Sequence, residues 1–294
     1  MHLTITGFST ALFSTWYFVD ELSLLLDCGD GACAGLLQKS RKARTIAISH
    51  ADRDHLNGLG QFLQLNTGEG GLPTVLYPRD CGSFPALRDF LHAFDQPPEG
   101  NRWLAIEPGH KEELGRAKAR IEAFNNRHIA APAGQVKSLS YRVVVTNHRL
   151  RPEFAGRADA EIAEVRKAMG DEAVMISMEE TLLAYSADTP IEPPAFWGQP
   201  KVLIHESTFL TAADAENRGQ DLRHSALDQV LPMAAELPLE ALILGHFSTR
   251  YSSDQIVAAV RRECGRIRPG FPVFTVLPGE ISRDILGADP AWAP

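Results

Sequence analysis

Thr45-Ile46-Ala47-Ile48-Ser49-His50-Ala51-Asp52-Arg53-Asp54-His55 is the stretch whose reading decides the fold. Its first five residues form a short, β-branched apolar run, the composition of a buried strand. Four potential metal ligands follow within six residues: His50, Asp52, Asp54 and His55. Beyond them Leu56, Leu59, Phe62 and Leu63 recur at helical spacing. The imidazoles and carboxylates therefore sit on a strand-to-helix turn, where a stiff strand end and a tight bend aim several side chains at one point. The alternative is a solvated acidic turn in which Asp52 and Asp54 only cap the helix. Ligands from distant parts of the chain separate the two readings, because a metal site rarely draws on one segment alone.

Such ligands exist. A strand expected over residues 119–125 leads to His128, one over 182–186 to Asp188, and one over 241–245 to His246. Each taken alone reads equally well as a capping carboxylate or a partly buried histidine. All three stand just past a strand, however, as convergence at one end of a pair of sheets requires. Asp188, in Tyr185-Ser186-Ala187-Asp188-Thr189, is a short carboxylate able to bridge two cations about 3.5–4 Å apart. His148, after a strand over residues 138–146, competes with His128. His205, at the end of a strand over 201–204, reads as a strand-end residue outside the ligand set, and His92 and His110 as surface residues on or near helices.

The rest of the chain follows the same rhythm. Strands are expected over residues 3–6, 11–18, 22–26 and 74–78. A helix carrying Leu87, Phe90, Leu91 and Phe94 is broken at Pro97-Pro98-Glu99-Gly100, and further helices are expected over 157–169, 225–237 and 254–262. Pro232 should kink or split the second of these, and Ser252 or Ser253 should cap the third. Two β-then-α halves, about 1–150 and 175–294, imply one α/β domain over 1–294, with two sheets face to face and helices outside.

Composition narrows the functional classes. A hydrophobic fraction of 44% and a charged fraction of 22% over 294 residues describe an ordinary globular protein. The 29 basic and 37 acidic residues leave a net charge of -8, which works against a broad surface tracking a phosphate backbone. No apolar run approaches the ~18 residues of a membrane span, and Met1-His2-Leu3 opens into a strand pattern without a charged leader, so a cytoplasmic protein is expected. Cys28, Cys33, Cys81 and Cys264 show no Cys-x-x-Cys spacing and read as reduced thiols.

In the order of its motifs the chain resembles tRNase Z, the metallo-β-lactamase-fold endonuclease that matures tRNA 3′ ends. The matching pieces are Leu26-Asp27-Cys28-Gly29-Asp30-Gly31, the 49–55 cluster, Ser138-Leu139-Ser140-Tyr141-Arg142, Ala187-Asp188-Thr189, His205-Glu206-Ser207-Thr208-Phe209, Arg223-His224-Ser225 and Gly245-His246-Phe247-Ser248. The resemblance implies a four-layer αβ/βα sandwich with two facing mixed sheets. It implies two divalent ions, Zn or Mn: one held by His50, Asp52 and His128, the other by Asp54, His55 and His246, with Asp188 bridging. Asp54 would also orient or deprotonate the attacking water. Glu206 and His224 resemble the family's pair beside the leaving group, where a protonated imidazole donates to the departing oxygen. A homodimer is the default for such an enzyme.

Two departures stand out. The family's cluster reads His-x-His-x-Asp-His, and Asp52 replaces its second histidine. A carboxylate is a harder ligand, which favours Mn²⁺ or weakens the first Zn²⁺. The interval from Arg142 to Leu182 holds Arg149, Arg151, Arg157, Arg166 and Lys167 but lacks the family's Gly/Pro arm. It reads as one helix plus a connection, and with the net charge it argues against pre-tRNA. The expected chemistry is metal-assisted hydrolysis of a phosphodiester, RNA or a small nucleotide. The rivals are hydrolysis of a small ester, lactone or cyclic nucleotide on the same fold, and a degenerate metal-binding module.

Overall fold

The computed structural model describes residues 2–66, 72–94, 102–115, 118–220 and 223–294; the Pro97-Pro98-Glu99-Gly100 break lies outside them. Six strands form the first sheet in chain order: β1 (Ile5–Thr10), β2 (Ser14–Val19), β3 (Leu24–Leu26), β4 (Thr45–Ala47), β5 (Thr74–Pro78) and β6 (Trp103–Ile106). Its first three strands are antiparallel and β3 to β6 run parallel. The second sheet, also in chain order, begins with β7 (Lys111–Glu113), β8 (Ala119–Asn125), β9 (Leu139–Leu150) and β10 (Met175–Tyr185). It continues with β11 (Val202–Glu206), β12 (Ala241–Gly245) and β13 (Val273–Thr275). Here β7 to β10 are antiparallel and β10 to β13 parallel, so both sheets are mixed.

Parallel neighbours need crossovers, and helices supply most of them. In the first sheet these are α1 (Ala32–Leu36), α2 (Arg53–Leu56), α3 (Leu59–Leu65) and α4 (Ser83–His92). After α5 (Asp159–Met169) and α6 (Asp171–Val174), which join β9 to β10, the second sheet uses α7 (Ala212–Glu216), α8 (Leu227–Ala235) and α9 (Ser253–Ile267). Strand periodicity sorts the side chains into layers. Tyr17, Leu24 and Leu26 face Tyr141, Val143, Leu183 and Ile243 across the gap between the sheets. Trp16, Phe18, Leu25 and Ile46 point the other way, under Leu36, Phe62 and Phe84. Leu203, Leu242 and Leu244 do the same under Leu231 and Val260. Strands buried on both faces explain the continuous apolar runs, and the result is the expected four-layer sandwich.

Several local expectations change. Strands β6, β7 and β13 were not expected, and His110 lies in the turn between β6 and β7, not on a helix. Pro232 does not split its helix: α8 runs from Leu227 to Ala235, with Val230, Leu231, Met233 and Ala234 buried under it and holding it to the sheet. Ser252 caps α9 in a reciprocal box with Gln255.

The interval 142–182 is also more than a helix and a connection. Pairing between β9 and β10 continues to Leu150 and Met175, whereas β8 leaves β9 at Val145 and β11 meets β10 only from Leu183. A two-stranded ribbon, carrying α5 and α6 between its strands, therefore extends beyond the sheet. Among the described residues no helix is long and apolar enough to cross a membrane, and all four cysteines are buried and free.

Candidate metal centre

The site lies where strands of both sheets end. Three non-glycine residues there leave their strands with left-handed backbone: Asp27 (φ 54°) after β3, Ala187 (φ 52°) after β10 and His246 (φ 59°) after β12. Such angles cost of order 1–3 kcal/mol each and persist only where the surroundings enforce them. Gly245 shows one enforcement, since a Cβ there would collide with the Tyr17 hydroxyl and crowd Ser9. Further along, Asp52 sits at the N-cap of α2, which places Asp54 and His55 in its first turn. An isolated bridge between His50 and Ser138 brings the end of β4 against the start of β9.

The seven side chains expected as ligands come together around Asp188. On one side, His50 Nε2 lies 3.6 Å from Asp52 Oδ2 and 3.8 Å from Asp188 Oδ2, and His128 Nε2 lies 3.7 Å and 4.0 Å from the same two atoms. On the other, Asp54 Oδ2 stands 3.6 Å from His55 Nε2 and 3.5 Å from His246 Nε2. Asp188 reaches those two imidazoles as well, Oδ2 at 3.4 Å from His55 and Oδ1 at 3.3 Å from His246. Donors about 2.1 Å from a tetrahedral ion stand roughly 3.4 Å from one another, close to these separations. His148, by contrast, is exposed on the ribbon beside Ser177, so His128 is the histidine in the site.

The other ring nitrogens are fixed by an inner set of bonds, of which the sequence reading gave only the Glu206–His224 pair. Asp27, fully buried, accepts from His55 Nδ1 at 2.7 Å, Ser49 Oγ at 2.8 Å, Ser49 N–H at 2.7 Å and Tyr185 Oη at 2.5 Å. Ser49 Oγ in turn meets His50 Nδ1 at 2.9 Å. Glu206 repeats the pattern on the second sheet. It accepts from His224 Nδ1 at 2.9 Å, Thr208 Oγ1 at 2.6 Å and the backbone N–H groups of Thr189 and Thr208. Thr208 Oγ1 meets His246 Nδ1 at 2.9 Å. One buried carboxylate per sheet thus holds two imidazoles, one directly and one through a hydroxyl. His128 Nδ1 donates to the Arg223 carbonyl at 2.9 Å, and Asn126 Oδ1 accepts from the His128 backbone N–H.

Electrostatics follow from this packing. Burial opposes ionisation of Asp188, yet the His246 and His55 imidazoles hold it well below the usual carboxylate range. Burial likewise works against Asp54, and His246 and His55 bring it down to about 2. The His128 and His50 imidazoles, 3.7 and 3.6 Å away, hold Asp52, half-exposed, far below its ordinary value. Burial presses His224 toward neutrality, but the Glu206 carboxylate outweighs it and raises the imidazole to about 9. His224, partly exposed at the mouth, therefore holds its proton at neutral pH, with its Nδ1 against the Glu206 carboxylate. His205 stands apart, donating to the Glu206 carbonyl and packing edge-on to Trp197.

The donor set fits a divalent metal. Nε2 of His50, His55 and His246 are buried and have no hydrogen-bond partner, an arrangement costly to bury unless another group engages those lone pairs. Their Nδ1 atoms are held by hydroxyl or carboxylate partners, as imidazole ligands to metals usually are. His50, His128 and Asp188, and separately Asp54, His55 and His246, each bring three donor atoms within 4.8 Å of one another; Asp188, His224 and His246 form a third such group. Beside them opens a cleft of about 460 Å³, lined in part by Asp52, Asp54, Asp188 and His224.

The chain is similar to known proteins in sequence and in fold. No family model matches the chain. It is 26% identical over 226 residues to a tRNase Z of Arabidopsis thaliana, covering 73% of this chain and 76% of the relative. It is 28% identical over 263 residues to a ribonuclease Z of Pyrobaculum islandicum, covering 84% of each. Among solved structures, the metallo-β-lactamase-fold protein YhfI from Bacillus subtilis superposes with a TM-score of 0.64 at 16% identity, covering 95% of this chain and 99% of that one. The chain is thus a metallo-β-lactamase-fold protein of tRNase Z-like sequence.

Proposed function

We propose that the chain, acting as one catalytic unit built from both sheets, is a metal-dependent phosphodiesterase of the tRNase Z type. The observation that carries this reading is the convergence of His50, Asp52, His128, Asp54, His55 and His246 on Asp188, with protonated His224 at the rim. The residues match two divalent ions, one held by His50, Asp52 and His128, the other by Asp54, His55 and His246, with Asp188 between. Bound ions supply an acidified water and charge neutralisation at the phosphoryl oxygens.

The chain's own groups do the rest. Asp54 orients the attacking water. His224 donates from its imidazolium to the departing oxygen, and Glu206 keeps that ring charged and aimed. Asp52 makes the first position harder than an all-imidazole one, so Mn²⁺ competes there with Zn²⁺. The ribbon between β9 and β10 removes one argument against RNA, since a projecting element is present although it is not a Gly/Pro arm.

Purified protein with Mn²⁺ or Zn²⁺ should hydrolyse bis(p-nitrophenyl) phosphate. An Asp54→Ala variant should lose at least about a hundredfold in rate, and wild-type turnover by that variant would refute the assignment.

A further inference from the structure

A second cavity opens at the other end of the sandwich. Its walls are the turn before β3, the loop before β4 and the turn between β7 and β8. From Ser23, on its wall, the chain runs along β3 to Asp27 in the metal centre, so roughly 13 Å of strand separates the two places. The cavity holds about 390 Å³. Leu22 and Leu114, each 3% exposed, give it an apolar floor that is the outer end of the core between the sheets.

Its rim is cationic. Lys39-Ser40-Arg41-Lys42-Ala43-Arg44 puts four cations within six residues of a chain whose net charge is -8, so the concentration is local. Lys39 and Lys42 share Asp20, at 3.2 and 2.8 Å, and Glu21 accepts from the Thr4 N–H at 2.8 Å. The side chains of Arg41 and Arg44, both on the cavity wall, make no hydrogen bond or ion pair among the described residues. The Arg44 backbone, by contrast, is fixed on both sides. Its N–H donates to the Ser23 carbonyl at 2.8 Å and its carbonyl accepts from the Thr74 N–H at 2.9 Å. A held backbone thus presents an unengaged guanidinium to a cavity with an apolar floor.

We propose that this cavity is a second ligand site, for a small organic phosphate whose phosphoryl oxygens rest on Arg41 and Arg44 and whose organic part covers Leu22 and Leu114. Lys39, Arg41, Lys42 and Arg44 against Asp20 and Glu21 leave two positive charges, which a phosphate dianion matches and a monocarboxylate does not. Two guanidinium forks suit the several oxygens of a phosphoryl group. The volume is that of a small-molecule pocket, with room beyond the anion for the rest of the ligand.

Calorimetric titration of phenylphosphonate, methylphosphonate and benzoate into the metal-loaded protein and its R41Q/R44Q variant tests this. Both arginines are exposed, so the variant keeps its fold, and neither lies in the metal centre, so its rate on bis(p-nitrophenyl) phosphate should match wild type. Wild type should bind one more phenylphosphonate per chain than the variant. That additional site should take methylphosphonate, which lacks the ring, and benzoate, which lacks the second charge, at least about tenfold more weakly. A phosphonate held at the metal centre is common to both proteins and cancels in the comparison, so the result does not depend on the phosphodiesterase reading. Equal binding of phenylphosphonate by the two proteins, or methylphosphonate or benzoate held at the additional site as tightly as phenylphosphonate, overturns the proposal.

Discussion

The Tyr185 hydroxyl donates to the Asp27 carboxylate at 2.5 Å, tying the end of β10 in one sheet to the end of β3 in the other across 158 residues of sequence. Burial and the Asp27 charge push the Tyr185 phenol well above its ordinary value, so it remains a donor. That bond sets the two halves of the site relative to each other, because the same carboxylate holds His55 and, through Ser49, His50. Asp27→Asn keeps the shape but turns an acceptor into a donor facing donors. Metal affinity should fall about 10–100-fold, as for other groups that orient a ligand, in a competitive chelator titration. Wild-type affinity in the variant would contradict the anchoring role.

Asp52 is the residue at which the cluster departs from the pattern it resembles. Asp52→His would surround the first position with imidazole, and its preference should move toward Zn²⁺ over Mn²⁺ by roughly tenfold. Parallel titrations of both ions into wild type and variant measure this. A preference that stays fixed would mean that Asp52, half-exposed, is not a ligand.

His224 is assigned as the proton donor to the departing oxygen, and leaving-group chemistry isolates that step. Asn in its place should lower kcat about 10²–10⁴-fold on a diester with an alkoxide leaving group. A p-nitrophenyl ester, whose phenolate needs no proton, should lose much less. Equal losses on the two would show that the ring only shapes the site.

Gly245 precedes His246 and leaves no room for a Cβ beside the Tyr17 hydroxyl. Gly245→Ala should cost about 1–3 kcal/mol in urea unfolding through overpacking. Gly82, with φ -64° and nothing within 4 Å of its notional Cβ, serves as the control and should change by less than about 0.5 kcal/mol. Matching midpoints for the two variants would contradict the packing argument.

Much of this architecture was legible in the order of residues. His50, Asp52, Asp54 and His55 fall within six residues after an apolar run, and His128, Asp188 and His246 each follow another, so strand ends marked the candidates and the resemblance sorted them from His148 and His205. The anchors were not legible, because Asp27, Ser49 and Thr208 acquire their roles from pairings between distant segments. Asp27 and Tyr185 meet only once both sheets are formed, and nothing local in either segment announces it. The ribbon was hidden for a different reason: Asn147-His148-Arg149-Leu150 carries no apolar alternation, and that of Ile176-Ser177-Met178-Glu179 covers only four residues, all exposed. Three-residue strands such as Lys111–Glu113, exposed at both ends, carry too little pattern to be read. Pro232 misled because proline breaks isolated helices, whereas α8 is held by the core beneath it.

The central claim is that Asp188 stands between two bound cations, and anomalous scattering from crystals grown with Mn²⁺ or Zn²⁺ tests it most directly. The account predicts two peaks about 3.5–4 Å apart, one beside His50 and His128 and the other beside His55 and His246, with an Asp188 oxygen facing each. A single peak away from Asp188, or none, would contradict it.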